Sequence, residues 1–420
     1  MSVWLENAIA RANSTSDWLS PIREASLATL KETPWPTRKT EAWKYTSLKS
    51  LERVTLSAVD IEYQDMPDEI DGFESLNLVF RNGQFDIDGL KEALPNGLTI
   101  TYLPSAADSV KKASVEELSQ IKPERHVFGL INDVLAEDII RIEVAEGVSI
   151  SQAIRITSLV GLNTESHTRV FVKLNKGASL TVSEHYQGNL ESVNTGFVEY
   201  DICAEAKLEH YRFALQTDKS ISIGGCHFKL GERADLNSTL VGFGSDLSRV
   251  DTDIIYDGEF ANAKLNAFYL LDGKELFDLH ATVEHAVPNC TTLENVRGIV
   301  ADHAKAVFNG RIHIHRDAQK TLAELNNRNL LLSDKAEINT KPELEIYADD
   351  VRCAHGATVA EIDKHALYYL ESRGISRSKA QVMLNFGFIN ELIDQMPNQI
   401  LAEWVRPQIR NRFAQMEVTR

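Results

Sequence analysis

The sequence predicts a mainly β protein: a right-handed parallel β-helix, or solenoid, flanked by N-terminal and C-terminal helical regions. Three observations carry that prediction. A short element (small apolar residue, variable residue, large apolar residue) recurs through the middle of the chain. The residues between its occurrences alternate with period two, and on both sides the alternation gives way to helical spacing.

The element occurs at Val148-Ser149-Ile150, Ala178-Ser179-Leu180, Ala206-Lys207-Leu208, Ala234-Asp235-Leu236, Ala263-Lys264-Leu265, Ala306-Val307-Phe308 and Ala336-Glu337-Ile338. The steps are 30, 28, 28, 29, 43 and 30 residues, and the 43 is close to one and a half steps, as a unit of two half-turns requires. Stretches such as RVFVKL, HYRFAL, RIHIHR and PELEIYA supply the alternation. Each coil of a solenoid buries its inward side chains against the next coil and pairs its backbone above and below. The Ala suits a tight corner, and the large residue two positions on points inward with it.

Residues 1 to about 75 read as mostly helical (ENAIARAN, SPIREASLATLKE), broken by the proline-rich TPWPTRKTEAWKYTSL. LNLVFRNGQFDI reads as a hairpin near 78–88 around Asn82-Gly83, and 105–137 return to helical spacing. The expected organisation is therefore an N-terminal region over 1–137, a solenoid core over 138–360 and a C-terminal helical region over 361–420. In the last, Ala380, Met383, Leu384, Gly387, Phe388 and Leu392 follow one helix face, with Ser376 or Ser378 as N-cap and Pro397 as the stop. A second helix carries Ile400, Trp404 and Val405, with a kink expected at Pro407. Open solenoid ends template aggregation, so the flanking regions are expected to cap both.

The chain has 420 residues, 44 basic against 61 acidic, for a formal net charge of -17. That balance argues against nucleic acid or an anionic membrane surface as a partner. No apolar run is long enough to span a bilayer. MSVWLENAIARANSTSDW lacks the basic leader and apolar core of a secretory signal, so the expected location is cytoplasmic. Cys203, Cys226, Cys290 and Cys353 are widely scattered, as reduced thiols would be.

Cys353 and His355 lie two apart in YADDVRCAHGATVAEID and so share a strand face. Thiolate and imidazole both suit soft or borderline metals, but structural zinc takes four ligands and iron–sulfur clusters usually four cysteines. No CxxC or HxxxH lies nearby. Spacing alone leaves open an inert Cys beside a surface His; a metal role would draw its missing ligands from another chain. His313 and His315 alternate with Ile312 and Ile314, and Glu343 and Glu345 follow at a 30-residue offset. An outward His/Glu ladder is expected there, with cross-strand pairing favoured over metal. In DLHATVEH, Asp278 and His280 share a face while His285 has the opposite parity; Cys226 and His227 likewise point to opposite faces. No P-loop, GxGxxG, GxSxG or HExxH is present, so the chain brings no nucleotide-hydrolysis machinery of its own. Two rival readings are a free-standing cytosolic β-solenoid metalloprotein and a polysaccharide-active solenoid enzyme. The 8% aromatic content and the absent leader disfavour the second.

NRNLLLSDKAEINTKPELEIYADDVRCAHGATVAEID, followed by ALYYLESRGI, resembles the SufB/SufD family of iron–sulfur cluster assembly scaffolds, as does the N-terminal PTRKTEAWKYTSL. RCAHGAT with LLLSDKAEINTKPELEIYADD is similar to the SufD side of that family, and ELNNRNLLLSDKA lacks the cysteine of SufB-like chains. The resemblance implies a non-catalytic scaffold that pairs with a SufB-like paralogue through the solenoids and docks a SufC-like ABC ATPase through its C-terminal helices. ATP hydrolysis would then be a partner's, and sulfur would arrive as persulfide from a cysteine desulfurase system. It implies a transient iron–sulfur cluster or iron at the partner interface, with His355 and its neighbour Cys353 as the metal residues. The interface residues expected are Cys353, His355, Tyr368, Met383, Phe388 and Trp404. A reduced flavin in the complex is also implied, although no flavin motif is present, and a homodimer of the isolated chain stays open.

Overall fold

The computed structural model describes residues 3–56, 69–87, 93–118 and 120–418. Its centre is a parallel β-solenoid of about eight turns. From Ala153 onward successive strands alternate between a ten-stranded and a nine-stranded sheet, one strand of each per coil. The 43-residue step is thereby explained. Ala263 lies in Asn262–Leu271 of the ten-stranded sheet, and Ala306 lies in Lys305–Ile314 of the nine-stranded one.

The register corrects one assignment. Ala263 stands beside Leu236, inside the strand and past the corner. The corner column runs Ala178, Ala206, Ala234, Ala261, Cys290 and Thr321. Each carbonyl accepts a hydrogen bond from the residue that follows the next corner, from Lys207 N–H to Ala178 O (2.8 Å) through Arg352 N–H to Thr321 O (2.9 Å). Every member is buried. The residue before each corner has positive φ: Gly177, Glu205, Arg233, Phe260, Asn289 and Lys320. A side chain larger than a few atoms has no room inside so tight a bend. Cys290 is thus a corner filler in alanine's place.

The hairpin forms as expected, with Phe80 opposite Phe85, Arg81 opposite Gln84, and φ of 50° and 85° at Asn82 and Gly83. Residue 88, the last of its expected span, lies outside the described residues. The first arm, Ser75–Arg81, pairs in parallel with Ala153–Leu159 and opens the ten-stranded sheet, while Leu98–Tyr102 closes the nine-stranded sheet by antiparallel pairing with Ile139–Val144.

The helices cover sides rather than ends. Val127–Leu135, with Trp4, Trp43 and Leu51, seals Val193, Phe197, Ile221 and Ile223 on the outer face of the nine-stranded sheet. Arg377–Ile393 and Gln399–Val418 lay Ile389, Leu392, Val405, Ile409 and Phe413 on Phe213, Val241, Phe243, Phe268 and Ile299 of the ten-stranded sheet. The expectation of a C-terminal cap is therefore corrected: so broad an aromatic outer face takes the helices first. At that end the last strands, Glu337–Ile346 and Arg352–Glu361, stay at the sheet edges, and neither contains a buried residue.

Ser376 caps its helix by accepting from Lys379 N–H at 3.4 Å. The buried face runs through Ala380, Asn385, Ile389 and Leu392, whereas Met383 and Gly387 are exposed, as is Ile400 on the next helix. That next helix continues through Pro407.

Candidate functional site

Cys353 and His355 stand on the last rung of the ten-stranded sheet, beside Ala323 and Leu325. Both neighbours are buried in the solenoid core, so the two side chains continue lumen-facing columns at the point where the lumen opens. Cys353 is half-buried and packs against the edge of the core, as Val351, Ile338 and Leu344 also do; His355 is exposed. Burial pushes the Cys353 thiol up, partly offset by a hydrogen bond with the Ala323 backbone. It is therefore a neutral thiol until a metal or a cation draws the proton off. Among the described residues neither side chain joins a group of three candidate ligands. The shared face read from the sequence is present, and a complete ligand set within the chain is not.

The other four expected interface residues lie on the C-terminal helices, apart from that rung. Tyr368 is 73% exposed and Met383 47%. Phe388 and Trp404 are partly buried anchors. The Arg297 guanidinium sits 5.2 Å over the Phe388 ring, and Trp404 meets His185 and Phe213 edge-on at 5.1 and 5.0 Å. Where the last coil meets these helices lies a cavity of about 440 Å³ lined by Leu332, Asp334, Glu361, Arg377, Val382 and Met416.

The histidine strands are brought together in a register that spacing misplaced by two. His313 faces Glu345, and Arg311 faces Glu343. Ile312 and Ile314 are buried inside, as expected. Asp278 and His280 share the outer face, 2.9 Å apart, while His285 points inward and stacks on Tyr256 at 4.3 Å. Cys226 faces the core and Thr252; His227 faces outward to Asp253 at 2.8 Å.

Two clusters escaped sequence reasoning. Inside the solenoid, the buried Glu184 pairs with Arg212 and also meets His210 (2.9 Å), Tyr200 (2.8 Å) and Tyr186 (3.1 Å). Parity held the clue: if Leu208 points inward, so do His210 and Arg212, leaving Tyr211 and Phe213 for the helices outside. Beneath the N-terminal region, Asp253 binds His126 (2.7 Å), His227 and Arg125, with its carboxyl held well below the usual range chiefly by His126.

These features describe a class, a side-covered and open-ended parallel solenoid carrying soft-metal residues on its last rung. Residues 157–388 match the SUF system FeS cluster assembly, SufBD core domain, and residues 3–156 match the SufBD protein N-terminal region. The chain is 31% identical over 413 residues to the iron-sulfur cluster assembly protein SufD of Escherichia coli (strain K12), covering 94% of this chain and 93% of that one. It is 26% identical to protein ABCI7, chloroplastic, of Arabidopsis thaliana (97% and 88%), and 27% to an iron-sulfur cluster assembly SufBD family protein of Synechocystis (86% and 84%). The chain belongs to the SufBD family of iron–sulfur cluster assembly proteins. No helix among the described residues is long and apolar enough to cross a membrane.

Proposed function

We propose that this chain is a non-catalytic, cytoplasmic scaffold subunit of a Suf-type complex, pairing with a SufB-like paralogue at the open solenoid end. One observation carries the reading: Cys353 and His355 stand on an uncovered edge strand, beside a neighbouring edge that is also uncovered. Unpaired edges bind further strands, and two half-built ligand sets meeting across such a seam hold what neither holds alone. His355, with Cys353, would contribute to holding iron or a nascent cluster there as cargo, with sulfur supplied by a desulfurase system. The C-terminal helices would dock a SufC-like ATPase. Exposed Tyr368 and Met383 offer it apolar contact, and Phe388 and Trp404 couple the helices to the solenoid.

The test is anaerobic affinity purification of the tagged chain from its own host, with co-purifying proteins identified by mass spectrometry. Recovery of an ABC-type ATPase and a larger paralogue is expected. Recovery of the chain alone at low salt, as monomer or homodimer, overturns the pairing.

A further inference from the structure

We propose that Glu284, His313 and His315 form a binding site for one divalent first-row transition-metal ion on the outer face of the nine-stranded sheet. The sequence carries these residues in two separate motifs, DLHATVEH and RIHIHR, and only the coil register joins them. Leu276–His285 and Lys305–Ile314 pair in parallel with Glu284 directly opposite His313. His315, two residues further along, meets the same carboxylate, its Nε2 2.7 Å from Glu284 Oε1. The two imidazoles lie almost parallel, 4.5 Å between centroids at 8°, and one ligand atom from each of the three residues falls within 4.8 Å of the others.

The donor set has the chemistry of a transition-metal centre. Two imidazole nitrogens and one carboxylate oxygen on one side of the ion leave the remaining positions to water, the pattern that suits Fe²⁺ and open Zn²⁺ sites. A strand delivers His-x-His to one face without rearrangement. The side chains of His313, His315 and Glu284 are 22%, 41% and 36% exposed, so an ion enters and leaves without the fold opening. Arg311, the nearby cation, donates to both oxygens of Glu345 (2.9 and 2.8 Å) and to His313 Nδ1 (3.1 Å). Its hold on Glu345 lets it release His313 when an ion binds.

The two other three-residue groups are weaker candidates. In each, the carboxylate already carries a guanidinium: Arg125 on Asp253, and Arg212 on Glu184. The site also stands on a different sheet from His355, one strand in from its edge, and shares no residue with the ligand pair proposed above.

The test is titration of the metal-free full chain with Co²⁺, read by visible absorption and calorimetry. Wild type and His355→Ala are each expected to take up one equivalent with imidazole-type absorption bands. The His313→Asn/His315→Asn chain should bind that equivalent at least tenfold more weakly, and Glu284→Gln should weaken it as well. All four positions are solvent-exposed to some degree, and thermal unfolding checks that each variant is folded. Absence of uptake by wild type, unchanged uptake by the double variant, or loss in His355→Ala overturns the site.

Discussion

Glu294 and His355 occupy one lumen-facing column, separated only by Leu325. Glu294 is sealed two rungs below the open end, and neither carboxyl oxygen has a hydrogen-bond partner among the described residues. Burial raises it from 4.5 to about 8, so at neutral pH the column under the exposed histidine is capped by a neutral acid.

That carboxyl makes folding pH-dependent. Its folded value is raised, so its contribution is fully present below about pH 4.5 and is lost as pH rises through 8. The loss is on the order of 5 kcal/mol at one pKa unit per 1.36 kcal/mol. Glu294→Gln is expected to lessen the fall of the urea-unfolding midpoint between pH 5 and pH 9, leaving the smaller share due to Glu275, which burial raises to about 7. A variant that keeps the wild-type slope would place the proton elsewhere.

Glu184→Ala should cost about 3–5 kcal/mol, because the buried Arg212 guanidinium loses its carboxylate and keeps only backbone carbonyls and the Tyr186 hydroxyl. Replacing both members, Glu184→Leu with Arg212→Met, should recover much of that loss, since matched apolar volumes leave no orphaned charge. Denaturant midpoints decide it; a single variant within about 1 kcal/mol of wild type, the scale of an ordinary neutral hydrogen bond, contradicts the network.

His355→Ala should leave stability within about 0.5 kcal/mol, as expected of an exposed side chain. Co-purification with partners should persist while cluster yield collapses. Normal cluster content in the assembled variant removes His355 from the site.

Trp404→Ala should cost about 2 kcal/mol, less than a fully buried tryptophan because this one is only partly covered. The loss should be local. Hydrogen exchange is expected to quicken over 377–418 and to leave the coils unchanged, since the ring bridges Gln399–Val418 to His185 and Phe213. Uniform acceleration along the solenoid would show that the helices are not a separable layer.

Much of this was legible in the chain. Strand parity placed Cys353 with His355, and separated Cys226 from His227 and Asp278 from His285, because alternation is a property of the strand itself. The half-turn jump between Ala263 and Ala306 was visible as a step of 43. Register was not. Coil length varies at the corners: the coil from Ala234 to Ala261 is one residue shorter than the two before it, which leaves Ala263 inside the strand, and two extra residues in a later coil bring Glu345, rather than Glu343, to face His313.

The sequence by itself determined the repeat, the faces, the family signature and the shared face of Cys353 and His355, all of which rest on local period or on short motifs. Only the tertiary structure decided which end stays open, where the helices lie and which distant side chains meet. Those outcomes depend on competition between surfaces. The aromatic outer face of the ten-stranded sheet claimed the C-terminal helices, and the last rung with Cys353 and His355 was left uncovered.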